Sequence, residues 1–356
     1  MEIRLFTSEI KEDWDSFVVS TKEGTCYHLS GWKHIFENTY NYKTYYLYAM
    51  DSGTHRIEGL LPLVLIKSGW FGRFLVSLPI FDHVGILSLN REAQIRLFEK
   101  AVDIGRKENV KFLELRHLNP GLSEISNSTH STPGQFLTRT SKIKHTLDLP
   151  NSAGELWESF KSKLRSQIKK PMKEGLTTRV GGLEEADNFY KVFSENMRDL
   201  GTPVNIKALF VSILAQLPDQ ARICIVLRDH QPVAAGFIIG FKEKVDIPWA
   251  SSLKKFNHLS PNMLLYWGIL EYACNHGHKL FDFGRSNLEG GTNSFKKQWN
   301  PKQIPLYWHY WVADNKDKPD LNKENPKFQT FIKLWKTLPL PLANMIGPRI
   351  VKYLPQ

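Results

Sequence analysis

The sequence predicts an α/β (α+β) chain of two domains in tandem, each a mixed and mostly antiparallel sheet flanked by helices. Three observations predict it. Segments with helical and strand spacing alternate along the chain; 356 residues suffice for two domains of ordinary size; and a composition 42% hydrophobic and 23% charged calls for packed cores. The expected divisions are 1–150, 151–315 and a basic amphipathic C-terminal tail, 316–356.

In the first part, SEIKEDWDSFVVS and LSGWKHIFENTY have helical spacing. TYYLYAM and IEGLLPLVLIK are rich in strand formers, and FLVSLP and VGILSL are short apolar runs. NREAQIRLFEKAVDIGRKEN predicts a helix capped by Asn90, and KFLELRHL predicts a strand. Residues 119–135 are polar and turn-rich, which predicts a mobile loop. The boundary is placed near Pro150, just past the strand TSKIKHTLDL.

The second part opens with SAGELWESFKSKLRSQIKK, a helix on which Trp157, Phe160, Leu164 and Ile168 form one apolar stripe. Lys161, Arg165 and Lys169 form a basic ridge beside it, and Pro171 ends or kinks the helix. A strand (TTRV), a helix (EEADNFYKVFSENMRDL), a second helix near 205–215 and a strand (ARICIVL) follow. PVAAGFIIGF and VDIPWASS read as an antiparallel pair. SPNMLLYWGILEYACNHG reads as a helix with Ser260 at the cap, Pro261 at the first position and Gly277 at the end. It is apolar nearly all round and therefore expected to be buried. KLFDFG is a strand, NLEGG a turn, TNSFKKQW a short helix opening near Phe295 and Lys296, and IPLYWHYWV a closing strand of this domain. This order matches the acyl-CoA N-acetyltransferase core, and the first part follows it more loosely.

The tail carries basic residues among aromatic and aliphatic ones, with no acidic residue after position 325. Two readings stand: a helix docked on its own domain, or peripheral contact of residues 325–356 with the inner face of the cytoplasmic membrane. The net charge of +11 favours anionic partners. Cys26, Cys224 and Cys274 are too few and too far apart for a zinc site or a disulfide scaffold, and no metal or bound cofactor is expected. The N-terminus is amphipathic and acidic, unlike a signal peptide, and no apolar run reaches the roughly 18 residues of a membrane span, so the expected location is cytoplasmic.

Asp282-Phe283-Gly284 invites a kinase reading, but no glycine-rich loop, strand lysine or His-Arg-Asp loop precedes it in order. The dinucleotide glycine pattern and the nucleophile elbow are missing too. Direct transfer between two bound substrates remains; it needs alignment of an amine with an acyl carbonyl and positive charge where the oxyanion develops. Lys296 at a helix N-terminus meets the second need, with a solvated surface lysine as the bland alternative. Asp282 and Arg285 flank a strand end and serve either the chemistry or an ion pair. Ser286 is the nearest approach to an exposed serine. Lys161, Arg165 and Lys169 hold phosphate or carboxylate groups or form a solvated face. Trp249, Ser251 and Ser252 line a pocket or pack in the core.

LRSQIKK, MRDLGTPVNIKALF, PVAAGF, IPWASS, PNMLLYWGILEYA and FDFGRSNLEGGTNSFKKQW together resemble the FemAB-like proteins of the N-acyltransferase (GNAT) superfamily. The nearest resemblance is to the exosortase (PEP-CTERM) and exopolysaccharide-associated branch, whose tail resembles LPLPLANMIGPRIV. The resemblance implies tandem acetyltransferase-like domains that transfer an acyl or aminoacyl group to an amine on a cell-envelope (peptidoglycan-like) or exopolysaccharide precursor. It places Phe295 and Lys296 at the reaction centre, with Lys296 on the tetrahedral intermediate, and Arg165 at an anionic acceptor. Arg285 joins Arg165 in holding anionic groups, and Asp282 is the first candidate for general base. The donor is aminoacyl-tRNA or acyl-CoA. The chain lacks the long helical arm that some Fem transferases carry for tRNA, which favours an acyl-CoA-dependent N-acetyltransferase acting on an amino sugar or small molecule. A non-catalytic scaffold of an export or polymer system is the third class.

Overall fold

Most segments take the form their spacing predicts in a computed structural model, which describes residues 1–69, 71–122, 134–314 and 326–354. In the first half, β1 (Glu2–Leu5) is followed by α1 (Lys11–Ser20), α2 (Gly31–Tyr40), β2 (Lys43–Met50), β3 (Ile57–Ser68), β4 (Gly72–Val76), β5 (Leu87–Ser88), α3 (Arg91–Lys107) and β6 (Phe112–His117). Asn90 caps α3 as expected: its Oδ1 accepts from the Ala93 amide at 2.9 Å. Most of the loop expected at 119–135 lies outside the described residues. β7 (Gln135–Arg139) and β8 (Lys142–Asp148) come next.

The second half holds α4 (Ala153–Ser159), α5 (Ser162–Lys173), β9 (Thr177–Gly181), α6 (Ala186–Leu200), α7 (Lys207–Gln216), β10 (Ala221–Arg228), β11 (Gln231–Phe241) and β12 (Lys244–Ser252). Then come α8 (Pro261–Asn275), β13 (Leu280–Asn287), α9 (Gly291–Lys297), β14 (Lys302–Pro305) and β15 (Tyr307–Val312). The tail forms α10 (Pro326–Lys336) and α11 (Leu340–Val351).

Two mixed sheets result, ordered β1-β2-β3-β4-β6-β15-β7, with β5 on β3, and β14-β8-β13-β12-β11-β10-β9. Read from β9, the second repeats the first place by place. Each unit runs strand, two helices, three antiparallel strands, helix, and a strand parallel to the third: β4 beside β6, and β12 beside β13. The sixth place is filled from elsewhere in the chain. β15 enters the first sheet between β6 and β7, antiparallel to both, and β8 enters the second beside β13. The units are accordingly Met1–Ile143 with Ile304–Asp320 and Lys352–Gln356, and Lys144–Gln303 with Leu321–Val351. This corrects the expected divisions at 150 and 315: strand propensity locates 307–312 as a strand but does not choose its sheet.

The first core forms where α3 lays Leu97, Phe98, Ala101 and Val102 on Leu47, Leu61, Leu63 and Leu113. The second gathers around α8, which is buried nearly all round as expected. Pro261 opens α8 and Gly277 at φ +77° closes it. Ser260, however, sits in the left-handed region at φ 58° and makes no side-chain cap.

The helix expected over 152–170 is two helices. Phe160 and Lys161 are extended (ψ 141° and 148°), and Phe160 turns inward to meet Trp267 and Trp299 edge-on at 6.1 and 5.7 Å. Burying that ring is worth about 2 kcal/mol, more than the turn of helix that is lost. Pro171 neither ends nor breaks α5, which continues to Lys173. It lies in the last turn, where its missing N–H deprives only one carbonyl of a partner. The tail takes the docked form: α10 and α11 pack on α6, burying Trp335, Ala343 and Val351. Among the described residues no helix is long and apolar enough to cross a membrane.

Candidate active site

β12 and β13 run in parallel register for only three residues, from Lys244 opposite Leu280 to Asp246 opposite Asp282. Past that point β12 carries a bulge in which Ile238 of β11 faces both Ile247 and Pro248. Pro248 has no N–H to give a neighbouring strand. Gly284, at φ +73°, turns β13 through a conformation that a side chain resists. Polar groups of the second unit collect around this strand end.

Asp282 is buried and both its oxygens are engaged. Oδ2 lies 2.5 Å from Lys144 Nζ on β8, and Oδ1 accepts from the Gly284 amide at 2.8 Å. The Asp246 carboxylate lies within 4.8 Å of it, so a cation here also relieves like-charge repulsion. The geometry makes Asp282 an ion-pair anchor that holds the Gly284 turn.

Lys296 is 4% exposed. Its Nζ donates to the carbonyls of Gly284 and Arg285 at 2.9 and 2.8 Å. A buried ammonium is tolerated only with such partners. The expectation that Lys296 opens a helix is corrected. α9 starts at Gly291 and Lys296 lies in its last turn, so the helix N-terminus adds nothing to its charge. Its position is instead set by strand-end carbonyls and by Phe295, whose ring meets Tyr266 edge-on at 5.0 Å.

Two further buried side chains complete the cluster. Asn293 Nδ2 donates to the Leu288 carbonyl at 2.5 Å, which orients its amide and turns Oδ1 to His145 Nε2 at 2.9 Å. Burial and then the Lys296 charge hold the His145 pKa below the ordinary histidine value; the Asn293 hydrogen bond and Asp282 oppose this in part. The imidazole is therefore neutral at pH 7. Ser286 is buried, and among the described residues its Oγ has no hydrogen-bond partner.

The structure thus brings Lys296, Phe295, Asp282, Arg285 and Ser286 together on β13 and α9. Lys161 stands before α5, Arg165 pairs with Glu158 at 2.5 Å, and Lys169 lies over the Trp157 ring at 5.6 Å. Trp249, half-buried, meets the rings of Phe210 and Phe237 edge-on, with centroids 5.0 and 5.4 Å away. Ser251 Oγ accepts from Asn196 Nδ2 at 3.0 Å, and Ser252 is buried nearby. Sequence reasoning missed Lys144, His145 and Asn293. The available signal was Lys144-His145-Thr146, three consecutive polar residues within a strand, all of which prove buried.

Residues 158–297 match the acetyltransferase (GNAT) domain. That span runs from α4 through Lys296. No curated protein matches the chain in sequence. Solved structures do match in fold. FemX superposes with a TM-score of 0.68 at 14% identity, covering 88% of this chain and 98% of that one. The C-terminal domain of a protein assigned as a lysylphosphatidylglycerol synthetase from Agrobacterium fabrum gives 0.58 at 13% identity, covering 85% and 92%. A tandem GNAT protein from the clavulanic acid biosynthesis pathway gives 0.56 at 11% identity, covering 89% and 99%. The tandem acetyltransferase-type fold expected from element order is present in this chain.

Proposed function

We propose that the second unit is the catalytic unit of an acyltransferase, passing an acyl or aminoacyl group directly from its donor to an amine on an anionic cell-envelope or polysaccharide precursor. The observation that carries this reading is Lys296: a buried ammonium fixed by two strand-end carbonyls, inside the span that matches an acetyltransferase domain. A cation held in a dry site needs no reorganisation as the carbonyl oxygen of the acyl group becomes negative, which is where electrostatic catalysis is strongest. Phe295 fixes its backbone, Asp282 and Lys144 fix the Gly284 turn, and Arg285 and Arg165 supply charge for anionic parts of the substrates. FemX and the lysylphosphatidylglycerol synthetase support an aminoacyl donor and an envelope acceptor; the net charge of +11 suits a tRNA.

The domain match and the tandem GNAT protein favour a second reading, with acyl-CoA as donor and an amino sugar or small amine as acceptor. Titration of the protein with aminoacyl-tRNA, uncharged tRNA and acetyl-CoA at two salt concentrations, followed by tryptophan fluorescence, separates the two. Charged-tRNA binding that weakens steeply with salt upholds the first reading. Saturable, salt-tolerant coenzyme A binding upholds the second, and binding of neither overturns both.

Peripheral membrane contact belongs to the same proposal. α10 and α11 turn Phe331, Leu334 and Met345 outward beside exposed Lys333, Lys336 and Arg349. Apolar side chains among cations suit an anionic lipid surface. Sedimentation with phosphatidylglycerol vesicles but not with phosphatidylcholine vesicles is the expected result, lost in Leu334→Glu.

A further inference from the structure

Within the polar cluster, two buried atoms have no use in the chemistry described so far: Ser286 Oγ and the Nδ1 of His145. His145 is fully buried, and among the described residues nothing hydrogen-bonds to its Nδ1. The protonation of this ring follows from its surroundings. The Leu288 carbonyl can only accept, so the Asn293 group facing it is the NH2, and the group facing His145 is the amide oxygen. That oxygen also only accepts, so Nε2 carries the proton. In the neutral ring Nδ1 is then a bare lone pair. A buried acceptor with no donor costs of order 1–3 kcal/mol, and native structures keep such groups mainly where function uses them.

We infer that His145, oriented by Asn293, is the proton acceptor for the attacking amine, with Nδ1 as the accepting atom. The inference rests on the acyltransfer reading above and gives the base role to a residue other than Asp282. The charges that act on the ring are those of Lys296 and Lys297 of α9 and Asp282 of β13, Asn293 bonds it, and Lys144 is adjacent on its own strand, paired to Asp282. Two lysines against one carboxylate disfavour an imidazolium. The ring is thus unprotonated and ready at neutral pH, and it passes a captured proton on rather than keeping it.

The atoms balance. The amine nitrogen forms a bond to the acyl carbon while the carbonyl oxygen takes up negative charge beside Lys296. The nitrogen of this tetrahedral adduct gives its proton to Nδ1. The carbonyl reforms, the donor's C–O or C–S bond breaks, and the imidazolium returns the proton to the departing oxygen or sulfur. The products are an amide and the free alcohol or thiol. Asn293 is a positioning residue in this scheme: it holds the ring in one tautomer and touches no substrate.

The test combines two measurements on the full chain. Long-range proton–nitrogen NMR of imidazole-labelled protein, assigned with His145→Gln, reads the tautomer. The expected result is an Nε2–H ring that stays neutral below the ordinary histidine pKa, and a ring of mixed tautomer and still lower basicity in Asn293→Ala, which loses the hydrogen bond that raises its pKa. Transfer assays then use acetyl-CoA and a charged tRNA as donors, with hydroxylamine and glucosamine as amine probes. His145→Gln is expected to slow transfer 10²–10⁴-fold, with donor affinity unchanged within about 2-fold and the acid limb of the pH profile removed. Asn293→Ala is expected to lower kcat with a smaller effect on KM and to move that limb. An Nδ1–H tautomer overturns the inference, as does His145→Gln transfer within about 2-fold of wild type. A wild-type chain that binds and uses no donor overturns the acyltransfer reading and the base role with it. An active wild type with an active His145→Gln overturns the base role alone.

Discussion

Two carboxylates occupy matching places in the two sheets and are neutralised differently. Glu114 stands opposite Val76 at the end of the three-residue parallel contact between β4 and β6, as Asp282 stands opposite Asp246 between β12 and β13. Glu114 is answered from its own strand: Arg116 donates to it through Nε at 2.6 Å, reaches the Phe81 carbonyl through NH1 at 2.5 Å, and stacks on Trp308 at 4.3 Å. The opening beyond is stitched shut, since the Ser77 amide donates to the Glu114 carbonyl at 2.9 Å and its Oγ accepts from the Arg116 amide at 3.1 Å. Asp282 is answered by Lys144 from the neighbouring strand, and the carbonyls just past it hold a second lysine from α9. The same framework therefore ends one strand in a closed structural knot and the other in a charged polar cluster. The second is the cluster to which the proposed chemistry is assigned.

The largest expected effect falls on the closed end. Arg116→Ala leaves Glu114 buried without its cation and is expected to cost about 3–5 kcal/mol of stability, read by thermal or urea unfolding. Transfer per folded molecule should not change; if it falls, the first strand end is also a working site and the contrast breaks. Next is Lys296→Met, which preserves volume and removes charge. About 10²–10³-fold slower transfer with intact donor binding and an unchanged melting temperature is expected, equivalent to about 2.7–4 kcal/mol in the transition state. A melting temperature that drops with no change in rate would make Lys296 structural, like Arg116.

Acid should distinguish the units as well. Burial holds the pKa of His117 down to about 3 and that of His309 to about 4, against 6.5 for a free histidine. The unfolded chain takes up these protons first. Stability is therefore full above pH 6.5 and falls as the pH drops toward 3, by at most about 1.4 kcal/mol per pH unit for each histidine. Urea unfolding at stepped pH checks the slope, and His309→Gln should flatten it. The smallest effect is expected for Gly284→Ala. At φ +73° the added methyl should cost about 1–2 kcal/mol and loosen the carbonyls that hold Lys296. A matching fall in transfer rate would tie the turn to the site.

Much of this was legible in the residues, and the parts that were not share a cause. Periodicity is a local property. It located α8, the antiparallel β11–β12 pair and the Asn90 cap, and element order pointed to a repeated fold. The sheet that β15 joins is a long-range choice, and nothing in IPLYWHYWV encodes it. The break at Phe160 depends on two tryptophans more than 100 positions away, which an apolar stripe cannot reveal. The motif singles out Lys296, but as a helix start, whereas it lies in the last turn of α9. The carbonyls that fix it are visible only once β13 has been folded past Gly284. Lys144 and His145 went unnoticed because a strand with charged residues reads as half-exposed until its neighbours cover both faces.

The exchanged strands bear on how the chain is made. A domain that finishes early in synthesis ordinarily folds while the rest is still being translated. Here the first sheet lacks the strand between β6 and β7 until residue 312 has left the ribosome, and the second lacks its edge strand until residue 305. Both sheets are completed within a few residues of each other. Neither sheet is complete before then, and the N-terminal half must wait, incompletely paired, for a strand made after every strand of its counterpart.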